Sequence, residues 1–162
     1  MKSLLILGAG GHGAVVKEVA EACGYDKIDF LDDNFPHAIG KLNELEKFKE
    51  YKNIFVSIGN NTVRKQLLDK AVEIGFSTPT LIHPDAYVSS SANINVGTIV
   101  EPKAVVNSNV EIGRGCIISI GAIVDHNACI DEFAHINAGT AVKSAAYVEA
   151  FRRLEVGEII YK

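Results

Sequence analysis

Several residue types are scarce in this sequence. It has no tryptophan, one methionine, four prolines and three cysteines among 162 residues. Cys23, Cys116 and Cys129 form no close pair, and an odd count without a secretion signal predicts reduced thiols. We also expect no metal site. No apolar run approaches the roughly 20 residues that a membrane-spanning helix needs. We therefore expect no disulfide framework and no membrane partner.

An excess of positive charge is also missing. The formal net charge is −4 and the pI is about 5.7, which argues against nucleic acid as a partner. Apolar residues make up 48% of the chain, enough for a buried core. The apolar residues at the N-terminus resemble a signal peptide only faintly, because glycines begin at Gly8. We interpret this run as a buried strand and expect a cytoplasmic protein.

A six-residue repeat fills the second half of the chain. Its first register is aliphatic at every sixth residue: Val88, Ile94, Val100, Val106, Ile112, Ile118, Val124, Ile130, Ile136, Val142, Val148, Leu154 and Ile160. The fourth residue after each is small from Ala92 to Ala146, and this second register ends at Arg152 and Glu158. Such a period fits neither an α-helix nor a single strand.

A chain that turns a corner every six residues accounts for this period. Three sides close a triangular coil, and successive coils stack as parallel strands about 4.8 Å apart. We predict a parallel β-helix over residues 85–148 and a C-terminal cap over residues 149–162, because solenoids need atypical terminal repeats. A β-sandwich with coincidental spacing is the alternative, and the unbroken count argues against it.

The first half reads as a small α/β domain over residues 1–84. Predicted strands cover residues 4–7, 28–31, 54–58 and 80–82, predicted helices cover 14–22 and 62–74, and 42–51 is a charged helix or turn. Alternating strands and helices favour a parallel sheet. This length has room for only half of a Rossmann fold, which favours one nucleotide with a diphosphate over NAD. A nicotinamide-dependent oxidoreductase is accordingly the least favoured function.

A glycine-rich loop follows the first predicted strand. Gly8, Gly10 and Gly13 form G-x-G-x-x-G, which lets a phosphate approach the backbone at a helix N-terminus. Asp32 and Asp33 end the second strand, where an acid binds ribose hydroxyls. The alternative is a glycine turn that serves only strand–helix packing.

Three further positions have two interpretations each. His12 contacts a sugar or phosphate, or it hydrogen-bonds within the turn. The segment Gly59-Asn60-Asn61 is expected either to bind a polar ligand through its amides or to cap the next helix. In the repeat, His126 is a candidate general base, although a lone surface histidine is usually inert, as holds also for His135.

Taken in order, these motifs resemble one family. They are G-A-G-G-H-G at 8–13, F-L-D-D at 30–33, I-G-N-N at 58–61 and L-I-H-P at 81–84, and then hexapeptides that include V-D-H at 124–126. The match covers about residues 3–148. The combination resembles the sialic-acid O-acetyltransferases and PglD-like UDP-amino-sugar N-acetyltransferases. The resemblance implies a left-handed β-helix and a homotrimer with acetyl-CoA between neighbouring subunits.

The resemblance also implies roles for individual residues. Those that match the sugar-nucleotide site are Gly10, Gly11, His12, Asp32, Asp33 and Gly59. His126 matches the general base, and His135 matches the histidine that contacts acetyl-CoA. The implied reaction is direct acetyl transfer to a sugar amine or hydroxyl, without a covalent enzyme intermediate.

The chain departs from the family pattern in two places. Family members often carry an acid after the catalytic histidine, whereas this chain has Asn127, and Asp125 or Asp131 is a candidate substitute. Their β-helix also usually continues through further coils. The alternative function is therefore a non-catalytic nucleotide-sugar-binding protein with a truncated β-helix.

Overall fold

A computed structural model describes residues 2–162. The chain forms two compact units, the first ending at Pro79 and the second spanning Thr80–Lys162. The domain boundaries predicted from the sequence, 84/85 and 148/149, stay a prediction. No helix within residues 2–162 is long and apolar enough to cross a membrane.

The first unit alternates strands and helices around a three-stranded parallel sheet. Its elements are β1 (Ser3–Leu7), α1 (Gly11–Ala22), β2 (Lys27–Leu31), a 3₁₀ helix (Leu42–Lys47), β3 (Ile54–Val56) and α2 (Asn61–Ile74). The strand order is β2-β1-β3, with both neighbours parallel to β1. The predicted α/β class is confirmed, and the charged segment after β2 is a short 3₁₀ helix.

Burial explains why β1 is central. Leu4, Leu5, Ile6 and Leu7 are fully buried, as expected of a strand covered on both faces. The chain leaves β1 for β2 on one side and later returns to β3 on the other. In open α/β sheets, ligands bind outside the carboxyl ends of the strands near such a reversal, which here lies between β1 and β3.

The second unit is a β-helix with three parallel sheets. The first face contains β4 (Leu81–Ile82), β7 (Ile99–Val100), β10 (Ile117–Ile118) and β13 (His135–Ile136). The second face contains β5 (Tyr87–Val88), β8 (Val105–Val106), β11 (Ile123–Val124), β14 (Ala141–Val142) and β16 (Ile159–Ile160). The third contains β6 (Asn93–Ile94), β9 (Glu111–Ile112), β12 (Cys129–Ile130) and β15 (Tyr147–Val148). Paired residues are 18 apart, as between Ile117 and His135, so three six-residue sides make one coil.

The aliphatic register forms the core of these coils. Its members from Val100 to Leu154 are at most 1% exposed, and the small residues between them are buried at the corners. The predicted parallel β-helix is therefore confirmed. Residues 149–162 carry the winding onward, since Leu154 is buried and β16 pairs with β14. Their capping role stays a prediction.

One strand was assigned to the wrong sheet. The apolar run at 80–82 was expected in the α/β sheet, but β4 pairs with β7 in the first face of the β-helix. A short apolar run does not show which sheet it joins. The six-residue count does, because Ile82 precedes Val88 by one step and Ala86 occupies the small-residue position.

Candidate functional site

The glycine loop between β1 and α1 combines two roles. Gly8 has φ of 107°, which requires glycine, and a Cβ on Gly13 would lie 2.4 Å from the Gly8 carbonyl oxygen. Gly10 has φ of −72°, and a Cβ there would meet nothing within 4 Å. The first and third glycines therefore serve strand–helix packing, whereas Gly10 borders open space.

The start of α1 provides the electrostatics of this loop. The helix begins at Gly11, where an added Cβ would also meet nothing within 4 Å, and its first turn has no acidic residue. Backbone N–H groups and the helix dipole favour an anion at such an end. The loop therefore combines open space at Gly10 and Gly11 with a helix end that favours an anion.

Asp32 connects this loop to the next one. Its Oδ2 accepts a hydrogen bond from Ala9 N at 2.8 Å, and its Oδ1 accepts from Asn34 N at 2.8 Å and Phe35 N at 3.0 Å. These backbone donors, led by Ala9, lower the pKa of the carboxyl group, so it stays ionised. Asp32 thus orders both loops.

A cavity of about 220 Å³ lies between those loops. Its walls are Ala9, Gly10, Asp32, Asn34 and Phe35. Two residues of the predicted nucleotide site, Gly10 and Asp32, are therefore brought together here. Asp33 is exposed and accepts a hydrogen bond from Leu42 N at 3.1 Å, which anchors the first residue of the 3₁₀ helix.

His12 is largely buried in the first turn of α1. Burial, followed by the charge of Arg64, lowers its pKa from 6.5 to about 4. The imidazole is consequently neutral at physiological pH. It can exchange hydrogen bonds with a ligand but does not supply a positive charge.

Arg64 on α2 was not identified from the sequence. Its side chain is only 1% exposed, and Nη1 donates to the carbonyl oxygens of Ile58 at 2.9 Å and Gly59 at 3.3 Å. Nη2 donates to Asn61 Oδ1 at 2.8 Å. This buried cation holds the turn after β3 and adds positive potential beside His12.

The turn after β3 caps the next helix. Asn60 is the N-cap of α2, and its Oδ1 accepts from Val63 N at 3.0 Å. An added Cβ on Gly59 would meet nothing within 4 Å. Asn60 and Asn61 therefore have structural partners, and Gly59 leaves the end of β3 open.

His126 lies at the corner between the second and third faces of the β-helix. Its side chain is exposed, and its backbone N–H donates to Asp125 Oδ1 at 2.7 Å. The Asp125 carboxylate also accepts from Asn107 Nδ2 at 2.9 Å, and these bonds lower its pKa. Asp125 thus supports the backbone of His126.

The imidazole of His126 lies within hydrogen-bond distance of the Asn127 side-chain amide. Asn127 Nδ2 lies 2.9 Å from His126 Nδ1. Asp131, the other acid considered for this role, accepts from Tyr147 Oη at 2.9 Å. Asn127 has φ of 59°, a left-handed conformation that asparagine adopts more readily than most residues. Its position therefore suits both the corner and the histidine.

His135 lies on a different face of the β-helix from His126. It lies in β13 on the first face, and its Nε2 is 3.0 Å from Ser119 Oγ. Nine residues, half of an 18-residue coil, separate it from His126. A single chain therefore does not bring the two histidines together.

Comparisons with known proteins place these features in a family. Residues 3–71 match the PglD N-terminal domain family. The acetyltransferase domain of PglB from Neisseria gonorrhoeae FA1090 superposes with a TM-score of 0.94 at 39% identity, covering 98% of this chain and 82% of that one. The chain belongs to the PglD/PglB acetyltransferase family. Membership confirms the resemblance inferred from the motifs. It also confirms the predicted left-handed winding of the β-helix.

Other members of the PglD/PglB family extend the comparison. UDP-N-acetylbacillosamine N-acetyltransferase of Bacillus subtilis (strain 168) is 35% identical over 108 residues, which are 60% of this chain and 50% of that protein. The chain thus matches about half the length of this curated relative. Perosamine N-acetyltransferase from Caulobacter crescentus, solved as a mutant in complex with CoA and GDP-perosamine, has a TM-score of 0.85 at 29% identity and covers 90% of this chain and 73% of that one.

Proposed function

We propose that this chain is an acetyl-CoA-dependent acetyltransferase acting on an amino or hydroxyl group of a nucleotide sugar. The observation that carries the proposal is the likeness to the PglB acetyltransferase domain. That domain, in complex with acetyl coenzyme A, has a TM-score of 0.92 and matches 98% of this chain. Acetyl-CoA is the proposed co-substrate, and the proposed reaction includes no metal. No metal-binding group of three or more His, Cys, Asp or Glu occurs within residues 2–162.

The first unit is the proposed nucleotide-sugar site. Gly10 and Gly11 leave the N-terminus of α1 open to a diphosphate, and Gly59 leaves the neighbouring strand end open. Positive potential comes from α1 and the buried Arg64, while neutral His12 contributes hydrogen bonds. Asp32 and Asp33 complete the proposed set through the loop that follows β2.

The β-helix carries the proposed chemistry. His126 takes a proton from the sugar amine or hydroxyl as its nitrogen or oxygen attacks the thioester carbonyl. The resulting tetrahedral intermediate expels the CoA thiolate, which receives a proton as CoA thiol. The acetyl group passes directly to the sugar.

Asn127 can orient this base. A histidine that accepts a proton at Nε2 must carry its own proton on Nδ1. If the Asn127 amide turns by half a rotation, Oδ1 occupies the place of Nδ2, 2.9 Å from Nδ1, and accepts that proton's hydrogen bond. A neutral amide thereby fixes the productive tautomer without the charge of an acid.

A homotrimer would complete the site. The outward residues of the second face form an apolar column, with Tyr87, Ile123 and Ile159 between 48% and 57% exposed. Subunits packed through flat faces satisfy closed symmetry. Such packing would allow His126 of one subunit and His135 of the partner subunit to share one acetyl-CoA. We place this assembly in the cytoplasm, where the three thiols remain reduced.

A turnover screen tests this function. UDP-, CMP- and GDP-linked amino sugars are incubated with acetyl-CoA, CoA thiol release is measured, and mass spectrometry identifies the acetylated product. We expect release that depends on both substrates. Tight nucleotide-sugar binding without any turnover would instead identify the chain as a binding protein.

A further inference from the structure

An exposed aromatic ring lies in the wall of the nucleotide-site cavity. Phe35 shares that wall with Gly10 and Asp32 and is 39% exposed. Phe35 follows the end of β2, where Asp32 and Asp33 are the acidic residues expected to bind ribose hydroxyls. No catalytic or phosphate-binding role uses this ring.

Two neighbouring rings contact Phe35. Phe30 contacts it edge-on with ring centroids 6.2 Å apart, and His37 does so with ring centroids 5.7 Å apart. The loop that carries it is closed, because Ile39 N donates to Phe30 O at 2.9 Å and Asp32 N donates to Gly40 O at 3.0 Å. A fixed ring loses little conformational entropy when a ligand binds.

We propose that Phe35 is the platform on which the nucleobase of the nucleotide sugar stacks. This inference rests on the proposed function and names the part of the substrate that the cavity takes. The Asp32 carboxylate joins Ala9 of the glycine loop to the backbone of Phe35, so it fixes the base platform relative to the phosphate loop. Asn34, which has a polar side chain, lines the same cavity.

Stacking on a ring has a distinctive signature. Every base has a π-face, so a platform strengthens binding of purine and pyrimidine nucleotides alike. Base–aromatic stacking contributes about 1–3 kcal/mol per base, which corresponds to a roughly 5- to 150-fold change in affinity. Ligands without a base gain nothing from it.

Calorimetry with UDP, GDP and inorganic pyrophosphate tests the platform. We expect Phe35→Ala to weaken UDP and GDP by roughly 5- to 150-fold and to leave pyrophosphate unchanged. Phe35→Tyr retains the ring and should bind both nucleotides as the wild type does. Phe151, which is 38% exposed and lies in the β-helix unit, supplies the matched control Phe151→Ala. That control should leave all three affinities unchanged.

Two further measurements keep the proposal open to refutation if Phe35→Ala disturbs the loop. Phe35→Leu keeps an apolar side chain against Phe30 but has no aromatic face, and it should still lose nucleotide affinity selectively. NMR should show NOEs between the Phe35 ring and the base protons of bound UDP. Wild-type affinity for UDP in both variants overturns the platform alone, whereas a wild-type protein that binds neither UDP nor GDP overturns the proposed function as well.

Discussion

Alanine at two glycines of one loop separates binding from folding. A Cβ on Gly13 would lie 2.4 Å from the Gly8 carbonyl oxygen, a contact between backbone atoms that no side-chain movement relieves. Overpacking of this kind costs roughly 1–3 kcal/mol, and the higher helix propensity of alanine returns at most about 1 kcal/mol. A backbone contact as short as 2.4 Å places Gly13→Ala at the upper end of that cost, so we expect it to lower the free energy of unfolding of the first unit by roughly 2 kcal/mol.

Gly10→Ala should instead weaken phosphate binding and leave the stability nearly unchanged. Its Cβ meets no atom within 4 Å and its φ of −72° suits any residue, so the fold should tolerate it. Alanine is a poorer N-cap than glycine, but it also restricts the unfolded chain, and the net change should stay below about 1 kcal/mol. The methyl group points to where a phosphate would approach. Each charged hydrogen bond lost weakens binding by roughly 10- to 150-fold.

Urea denaturation and calorimetry with a nucleotide diphosphate measure the two effects. We expect Gly10→Ala to be stable and weak in binding, and Gly13→Ala to be less stable. Wild-type affinity in a folded Gly10→Ala protein would refute the assignment of this loop to phosphate. A Gly13→Ala protein as stable as the wild type would refute the packing argument.

Three further predictions follow from the same structure. The pKa of His12 is lowered from 6.5 to about 4, so the folded state binds fewer protons than the unfolded chain between these values. Urea titrations should show about 3 kcal/mol of stability lost as the pH falls through this window, and less in His12→Gln. His135→Ala should raise the KM for acetyl-CoA more than it lowers kcat. An equal fall in kcat and in kcat/KM would instead point to a role in the reaction step. If the chain forms the proposed trimer, Ile123→Asp should dissociate it in light scattering, while Asn93→Asp, on the third face, leaves it intact. An intact Ile123→Asp trimer would contradict the assignment of the second face as the proposed interface.

The repeat made most of the fold predictable. Each sixth aliphatic residue has no alternative to the interior of a narrow coil, so burial and sequence position coincide from Val100 to Leu154. The apolar run at 80–82 alone predicts a strand of the α/β sheet, which is wrong, because only the six-residue count distinguishes that sheet from the β-helix. The same count separates His126 from His135 by half a coil, which already indicates opposite sides.

The nucleotide site was only partly predictable. The glycine spacing identified the loop, but only coordinates show that Gly10 is open while Gly8 and Gly13 pack tightly. Arg64 was missed because an arginine in a helix normally faces solvent, and its burial depends on carbonyl groups of the turn before α2. Phe35 was missed because a loop aromatic belongs to no periodic pattern.

The most direct test of the central claim is the turnover number of His126→Ala with acetyl-CoA and the nucleotide sugar identified in the screen. His126 is exposed at a β-helix corner, so its loss should leave the fold and nucleotide-sugar affinity unchanged. Loss of a general base lowers the rate by about 10²–10⁴-fold, and we predict a fall in kcat of that size. A His126→Ala protein with the kcat of the wild type would contradict the account.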